Sequence, residues 1–273
     1  MEFLFNNFLQ KIRKDEMNNL KGKKIFITGA SSGIGRSCAI AFAKEGADLI
    51  ICARRIDRLD KLKIELTDKY NVSVLPLQFD LKNYIEVKLA ISKIPDEWRS
   101  IDVLINNAGL ARGFDKIYSA NVDHWDEMID TNIKGLLYIS REIIPLMIEK
   151  EAGHIINIGS TAGHEVYPYG NVYAATKFAV NALTQSIRLD VLDKNIKVSS
   201  VDPGMVETEF AEVRFSGDKE RAKKVYEGLT PLTPDEVAEA VLFCATRPRN
   251  VNINEIILTP LAQASSTQVI RRQ

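Results

Sequence analysis

Tyr173 and Lys177 lie four positions apart in a stretch, 172–192, whose apolar residues recur at helical spacing, so both side chains share one helix face. A free tyrosine titrates at about pH 10 and is a poor base near neutrality. An ammonium about 5 Å away, at an effective dielectric of about 20, supplies about 3 kcal/mol, or about two pKa units. Such a pair suits proton exchange with a hydroxyl or carbonyl oxygen. Tyr-x-x-x-Lys arises often by chance, so its company matters. Ser160 follows the apolar run 155–158, and Asn107 follows the run 103–105, each at the C-terminal end of a strand-like segment.

A second chemical feature stands near the beginning. The apolar run 24–28 leads into Gly29-Ala30-Ser31-Ser32-Gly33-Ile34-Gly35 and then directly into a helical pattern. Glycines permit a sharp turn and close backbone approach, and the unpaired N–H groups of the helix start face an anion such as a pyrophosphate. A second strand about 20 residues on completes a dinucleotide-binding unit. That strand ends in Cys52-Ala53-Arg54-Arg55, with no carboxylate to accept from an adenosine ribose. Guanidinium groups there favour a ribose 2′-phosphate, hence NADP(H) over NAD(H).

These groups need a scaffold that gathers strand ends. Strand-like runs at 24–28, 47–52, 72–77, 101–105, 154–158, 196–201 and 255–259 alternate with helical patterns at 34–45, 56–70, 84–94, 122–149, 172–192, 219–228 and 234–246. Strict alternation implies right-handed crossovers and an α/β fold, a doubly wound parallel sheet of Rossmann type with helices on both faces. No linker or repeat divides the chain, so one domain is expected over 17–273. Ligands of such a sheet bind outside the carboxyl ends of its strands, where Ser160, Asn107 and the glycine turn converge.

Composition removes several alternatives. Lys plus Arg and Asp plus Glu both number 36, so there is no basic field to draw the chain onto nucleic acid. With 45% hydrophobic and 26% charged residues, the bulk is not disordered. Cys38, Cys52 and Cys244 are isolated in apolar surroundings, which excludes a disulfide framework and fits a reducing cytoplasm. No His/Cys/Asp/Glu spacing suggests a metal; of the histidines, only His164, shortly after Ser160, is placed to line the crevice. Residues 1–16 carry Phe3, Leu4, Phe5, Phe8, Leu9 and Ile12, with Lys11, Arg13 and Lys14 at the end of the run, in an order unlike a secretory signal. They are read as an extension, disordered or helical, and no apolar run is long enough for a membrane span.

Taken together, Thr28-Gly29-x-x-x-Gly33-x-Gly35, Asp80-Leu81, Asn106-Asn107-Ala108-Gly109, the set Asn132, Ser160, Tyr173 and Lys177, and Pro203-Gly204 resemble the short-chain dehydrogenase/reductase family from about Leu20 to the C-terminus. The resemblance implies that Asn132, Ser160, Tyr173 and Lys177 are catalytic. It also implies that Gly29, Ser31, Ser32, Gly33, Ile34, Gly35, Arg54, Arg55, Asp80, Leu81, Asn107, Tyr173, Lys177, Pro203, Gly204, Val206 and Thr208 line the cofactor. Tyr173 would exchange the proton, Ser160 would hold the substrate oxygen, Lys177 would lower the Tyr173 pKa and hold the nicotinamide ribose, and Asn132 would anchor a water leading to Lys177.

The segment 205–218 and the tail ending in Arg271 and Arg272 resemble NADP-dependent 3-hydroxy acid dehydrogenases acting on serine, allo-threonine, 3-hydroxyisobutyrate or 3-hydroxypropionate. Such substrates need a cation for their carboxylate, and Arg214 is best placed, with the tail arginines second. Ser160, Tyr173 and Arg214 are therefore the expected substrate contacts. A broad carbonyl or 3-oxoacyl reductase, a non-catalytic NADPH sensor and a membrane-peripheral enzyme remain as alternatives. A homotetramer through helices 122–149 and 172–192 is a further expectation from the resemblance.

Overall fold

The computed structural model describes residues 19–272, and the expected extension at 1–16 lies outside them. Each strand is built from β-branched and large apolar residues that alternate between two faces. In β1 (Lys24–Thr28), Ile25 and Ile27 face one layer and Phe26 the other. It is followed by α1 (Gly33–Lys44), β2 (Asp48–Ala53), α2 (Ile56–Tyr70), β3 (Val74–Gln78), α3 (Tyr84–Ser92), β4 (Val103–Asn106), α4 (Val122–Ile129), α5 (Leu136–Glu149) and β5 (Gly153–Ile158). Then come α6 (Asn171–Asp190), β6 (Ile196–Pro203), α7 (Phe210–Arg214), α8 (Lys219–Lys224), α9 (Pro234–Ala245) and β7 (Glu255–Leu258).

All neighbouring strands pair in parallel, in the order β3-β2-β1-β4-β5-β6-β7. Helices α1, α2 and α9 pack on one face around Phe42, Leu59 and Val241, while α3, α5 and α6 cover the other around Val87, Ile143 and Val180. This is the expected doubly wound sheet. The chain order reverses between β1 and β4, so the strand ends open a crevice there. Among the described residues no helix is long and apolar enough to cross a membrane.

Two local expectations need correction. The segment 122–149 is not one regular helix, because a π-helical stretch at Asp130–Gly135 separates α4 from α5. There Asn132 turns its amide onto the Leu110 backbone, and Gly135 sits so close that a Cβ would lie 3.2 Å from Leu81 Cβ. Such bulges reorient one side chain at the expense of regular pairing. The segment 205–218 contains the short helix α7, and α8 is shorter than the expected 219–228, with Gly228 in the left-handed region at φ 74°.

His154 is buried in β5, with Nε2 2.7 Å from Ser199 Oγ and Nδ1 unpartnered among the described residues. Burial, reinforced by Lys197, brings its pKa down to about 3. An ordinary histidine titrates at about 6.5, so below that value only the unfolded chain takes up the proton. Its contribution to stability is therefore full above about pH 6.5 and shrinks by about 1.4 kcal/mol per pH unit on descending towards 3. Urea unfolding of wild type and His154→Asn at pH 7 and pH 5 should show a steeper acid loss in the wild type; parallel losses would contradict this account.

Candidate active site

The glycine turn is fixed from β4. Thr28 Oγ1 accepts from the backbone N–H groups of Asn107 and Ala108, both at 2.9 Å, and Asn107 Nδ2 donates back to Thr28 O at 2.9 Å. Gly29 and Gly33 adopt positive φ, 67° and 52°, which favours glycine. A Cβ on Gly29 would lie 3.0 Å from the Ala108 Cα, and one on Gly35 would collide with the Asn107 amide. The turn thus approaches its neighbour as closely as backbone permits, and the first N–H groups of α1 open onto the crevice.

The crevice is one cavity of about 1030 Å³. All the expected cofactor-lining residues border it except Gly35, whose place is corrected to packing against Asn107 beneath the turn. Arg54 and Arg55 stand at its outer end. Arg55 donates to Ser31 Oγ at 3.1 Å and Ser32 Oγ at 2.9 Å and pairs with Glu209 at 3.1 Å, while Arg58 reaches the same carboxylate at 2.6 Å. These exposed pairs are individually weak. No side-chain partner engages the Arg54 guanidinium among the described residues, so it stands available to an anion.

At the inner end α6 buries Tyr173 and Lys177 on one face, together with Ala174, Val180 and Thr184. Ser160 caps the short turn Thr161–Gly163 by accepting from Ala162 N at 3.1 Å, and its hydroxyl lowers the Tyr173 pKa. Lys177 Nζ donates to Ile158 O at 2.9 Å, and burial brings its pKa down to about 8 against the opposing attraction of Asp202. Burial, then Tyr167, push Tyr173 upward, while the Ser160 hydroxyl and the Arg214 charge pull it back. The Lys177 amine, while donating to the Ile158 carbonyl, lies 6.0 Å from the Tyr173 ring centre, and Ser160 and Arg214 also act on the phenol.

Asn132 is buried one layer behind, not at the cavity wall. Its Oδ1 accepts from Leu110 N and its Nδ2 donates to Leu110 O, both at 2.8 Å, and to Thr176 Oγ1 at 2.9 Å. The side chain therefore ties the loop after β4 to helix α6. His164, the one histidine whose position in the sequence allowed it to line the crevice, does not border it. Its Nε2 lies 2.5 Å from Asp202 Oδ2 and 3.6 Å from Glu255 Oε1, and the three offer ligand atoms within 4.8 Å of one another. Sequence spacing missed this cluster because its members come from the loop after β5, from β6 and from β7.

Arg214, at the end of α7, reaches the cavity beside Tyr173. Its Nε donates to Gly113 O at 3.0 Å and its Nη1 to the Tyr167 hydroxyl at 3.0 Å. The guanidinium carbon lies 4.8, 5.6 and 5.8 Å from the ring centres of Phe114, Tyr167 and Tyr173. Neither Phe114 nor Tyr167 was singled out from sequence; the aromatic run Tyr167-Pro168-Tyr169 between Ser160 and Tyr173 was the available signal. Arg271 borders the cavity but donates to the Val225 and Glu227 carbonyls, tying the tail to the segment after α8.

Known proteins are similar to this chain. The short chain dehydrogenase family matches residues 23–219. An NADP-dependent 3-hydroxy acid dehydrogenase of Schizosaccharomyces pombe is 45% identical over 258 residues, covering 94% of this chain and 100% of that protein. One from Salmonella typhi is 43% identical over 249 residues, covering 91% of this chain and 99% of that protein. The closed form of serine dehydrogenase complexed with NADP+ has a TM-score of 0.85 at 41% identity, covering 92% of this chain and 100% of that one. With its sheet order, glycine turn and Ser160-Tyr173-Lys177 grouping, this chain belongs to the short chain dehydrogenase family.

Proposed function

We propose that the protein is an NADP-dependent oxidoreductase acting on the hydroxyl-bearing carbon of a small 3-hydroxy acid of the serine, allo-threonine, 3-hydroxyisobutyrate or 3-hydroxypropionate type. The observation that carries this reading is Arg214. Its guanidinium is held among three aromatic rings beside Tyr173, with Nη2 lacking a partner among the described residues. A half-buried cation that near the proton-transfer group suits a substrate carboxylate, since a guanidinium set among aromatic rings binds it through charge-assisted hydrogen bonds.

The cavity fits NADP. The glycine cradle, which a Cβ would obstruct, lies between the Arg54-Arg55 end and the Tyr173-Lys177 end. When bound, NADP supplies the hydride acceptor for oxidation or the hydride donor for reduction. Arg54 and Arg55 would hold the ribose 2′-phosphate, with the Ser31 and Ser32 hydroxyls and the start of α1 on the phosphates. Asp80 and Leu81 would face the adenine, and Asn107, Pro203, Gly204, Val206 and Thr208 would line the rest. Ser160 would donate to the substrate oxygen while Tyr173 exchanges its proton, and Lys177 would support Tyr173 and contact the nicotinamide ribose. Asn132, holding Leu110 to Thr176, would keep the floor beneath them rigid.

Related expectations complete the reading. Exposed apolar side chains on α5 and α6, including Leu137, Phe178 and Leu189, suit a homotetramer, and three buried free cysteines suit the cytoplasm. The whole is supported by similarity to the proteins compared above.

Three variants test it. Arg54→Asp should raise the KM for NADP(H) by about tenfold or more, and an unchanged cofactor preference would remove the 2′-phosphate assignment. Tyr173→Phe should still bind NADPH yet lose nearly all turnover; substantial remaining turnover would refute the acid/base role. Arg214→Ala should lower kcat/KM for 3-hydroxy acids by about tenfold or more and leave neutral alcohols little changed. An equal effect on both classes would favour a broad carbonyl or 3-oxoacyl reductase.

A further inference from the structure

Behind the catalytic turn lies a carboxylate that the mechanism above does not use. Asp202, at the end of β6, is 1% exposed. Ser200 Oγ donates to its Oδ1 through a short hydrogen bond, and His164 Nε2 lies 2.5 Å from its Oδ2. Its Oδ1 also lies against the Cα of Gly159, where any Cβ would collide with it. Gly159 separates the two positions that shape the site. Ile158 provides the carbonyl that holds Lys177 Nζ, and Ser160 carries the hydroxyl that acts on Tyr173. A buried charge unpaired by Lys or Arg is costly, so its retention against this turn calls for a role.

We propose that Asp202 is a positioning residue: its carboxylate braces the Ile158–Gly159–Ser160 turn and places a negative charge behind Lys177, with His164 and Glu255 completing the polar cluster behind the site. This goes beyond the proposed function and rests on its assignment of Lys177 and Tyr173.

The surroundings define the charge balance. From α6, Lys177 and Tyr173 face the turn, and Arg188 attracts Glu255. His164 comes from the loop after β5, and Glu255 from β7 lies 3.6 Å from it. Asp202 is the charge that opposes the burial of Lys177, and the same carboxylate, after burial itself, pushes Glu255 upward. If the carboxylate is neutralised, less of Lys177 stays protonated at a given pH. A less cationic Lys177 supports the Tyr173 phenolate less, so alcohol oxidation should require a more alkaline medium.

The test is the pH profile of kcat for oxidation, measured on wild type, Asp202→Asn and Glu255→Gln, with Tyr173→Phe alongside. Asp202→Asn should move the acid-side ionisation up by about one unit, a loss of about tenfold near neutrality that vanishes at alkaline pH. Glu255→Gln, at a partly exposed site that tolerates substitution, should move it the same way by less. A loss that is uniform across pH, or a profile that stays in place, would reduce Asp202 to a structural residue and overturn the proposal. If Asp202→Asn does not fold, the Glu255→Gln profile decides alone. An active Tyr173→Phe would instead overturn the acid/base reading itself, which keeps the two failures distinguishable.

Discussion

The joint between β1 and β4 is the constraint on which the site depends. Thr28 and Asn107 exchange hydrogen bonds between the ends of two parallel strands, and Gly29 and Gly35 leave no side chain to hold those strands apart. Because the sheet order reverses there, the helices that follow β1 and β4 leave on opposite faces and a crevice opens between them. The joint sets its width at one end. From it the glycine turn presents backbone N–H groups outward, the arginines after β2 stand at one side, and the loop after β4 runs to Asn132 and so to α6.

The inner end is governed by desolvation. Burying Tyr173 and Lys177 disfavours both charged forms, raising the phenol and bringing the amine down to about 8. The fold offsets this with groups from distant parts of the chain. Ser160 and Arg214 act on the phenol, and the Ile158 carbonyl and Asp202 act on the amine. A lysine with a pKa of about 8 sits near working pH, so small changes in its surroundings alter its charge. Arg214 belongs to this inner end, because it rests on the rings of Phe114, Tyr167 and Tyr173.

How much of this was legible in sequence depended on range. The strands and long helices were readable because periodicity is local, and the glycine turn and Tyr173/Lys177 pair were readable because each lies within one or two turns of chain. The π-helical stretch at Asp130–Gly135 was not, since it is set by contacts with Leu81 and Leu110. Nor was the direction of His164, because Asp202 and Glu255 are brought to it only by pairing β5, β6 and β7. The cage around Arg214 combines Phe114, Tyr167 and α7, three segments with no sequence relation. The hydrogen bond from Lys177 to the Ile158 carbonyl was not legible either, because helical spacing fixes which face a side chain occupies, not which oxygen it meets.

The central claim is that the cavity joins a phosphate-bearing nicotinamide cofactor at Arg54 and Arg55 to a carboxylate-bearing alcohol at Arg214. The most direct measurement is NADPH formation by the purified full chain across serine, allo-threonine, 3-hydroxyisobutyrate and neutral alcohols of similar size, each with NADP+ and with NAD+. The account predicts the highest kcat/KM for 3-hydroxy acids with NADP+. Equal rates with NAD+, or neutral alcohols oxidised as well as the acids, would contradict it.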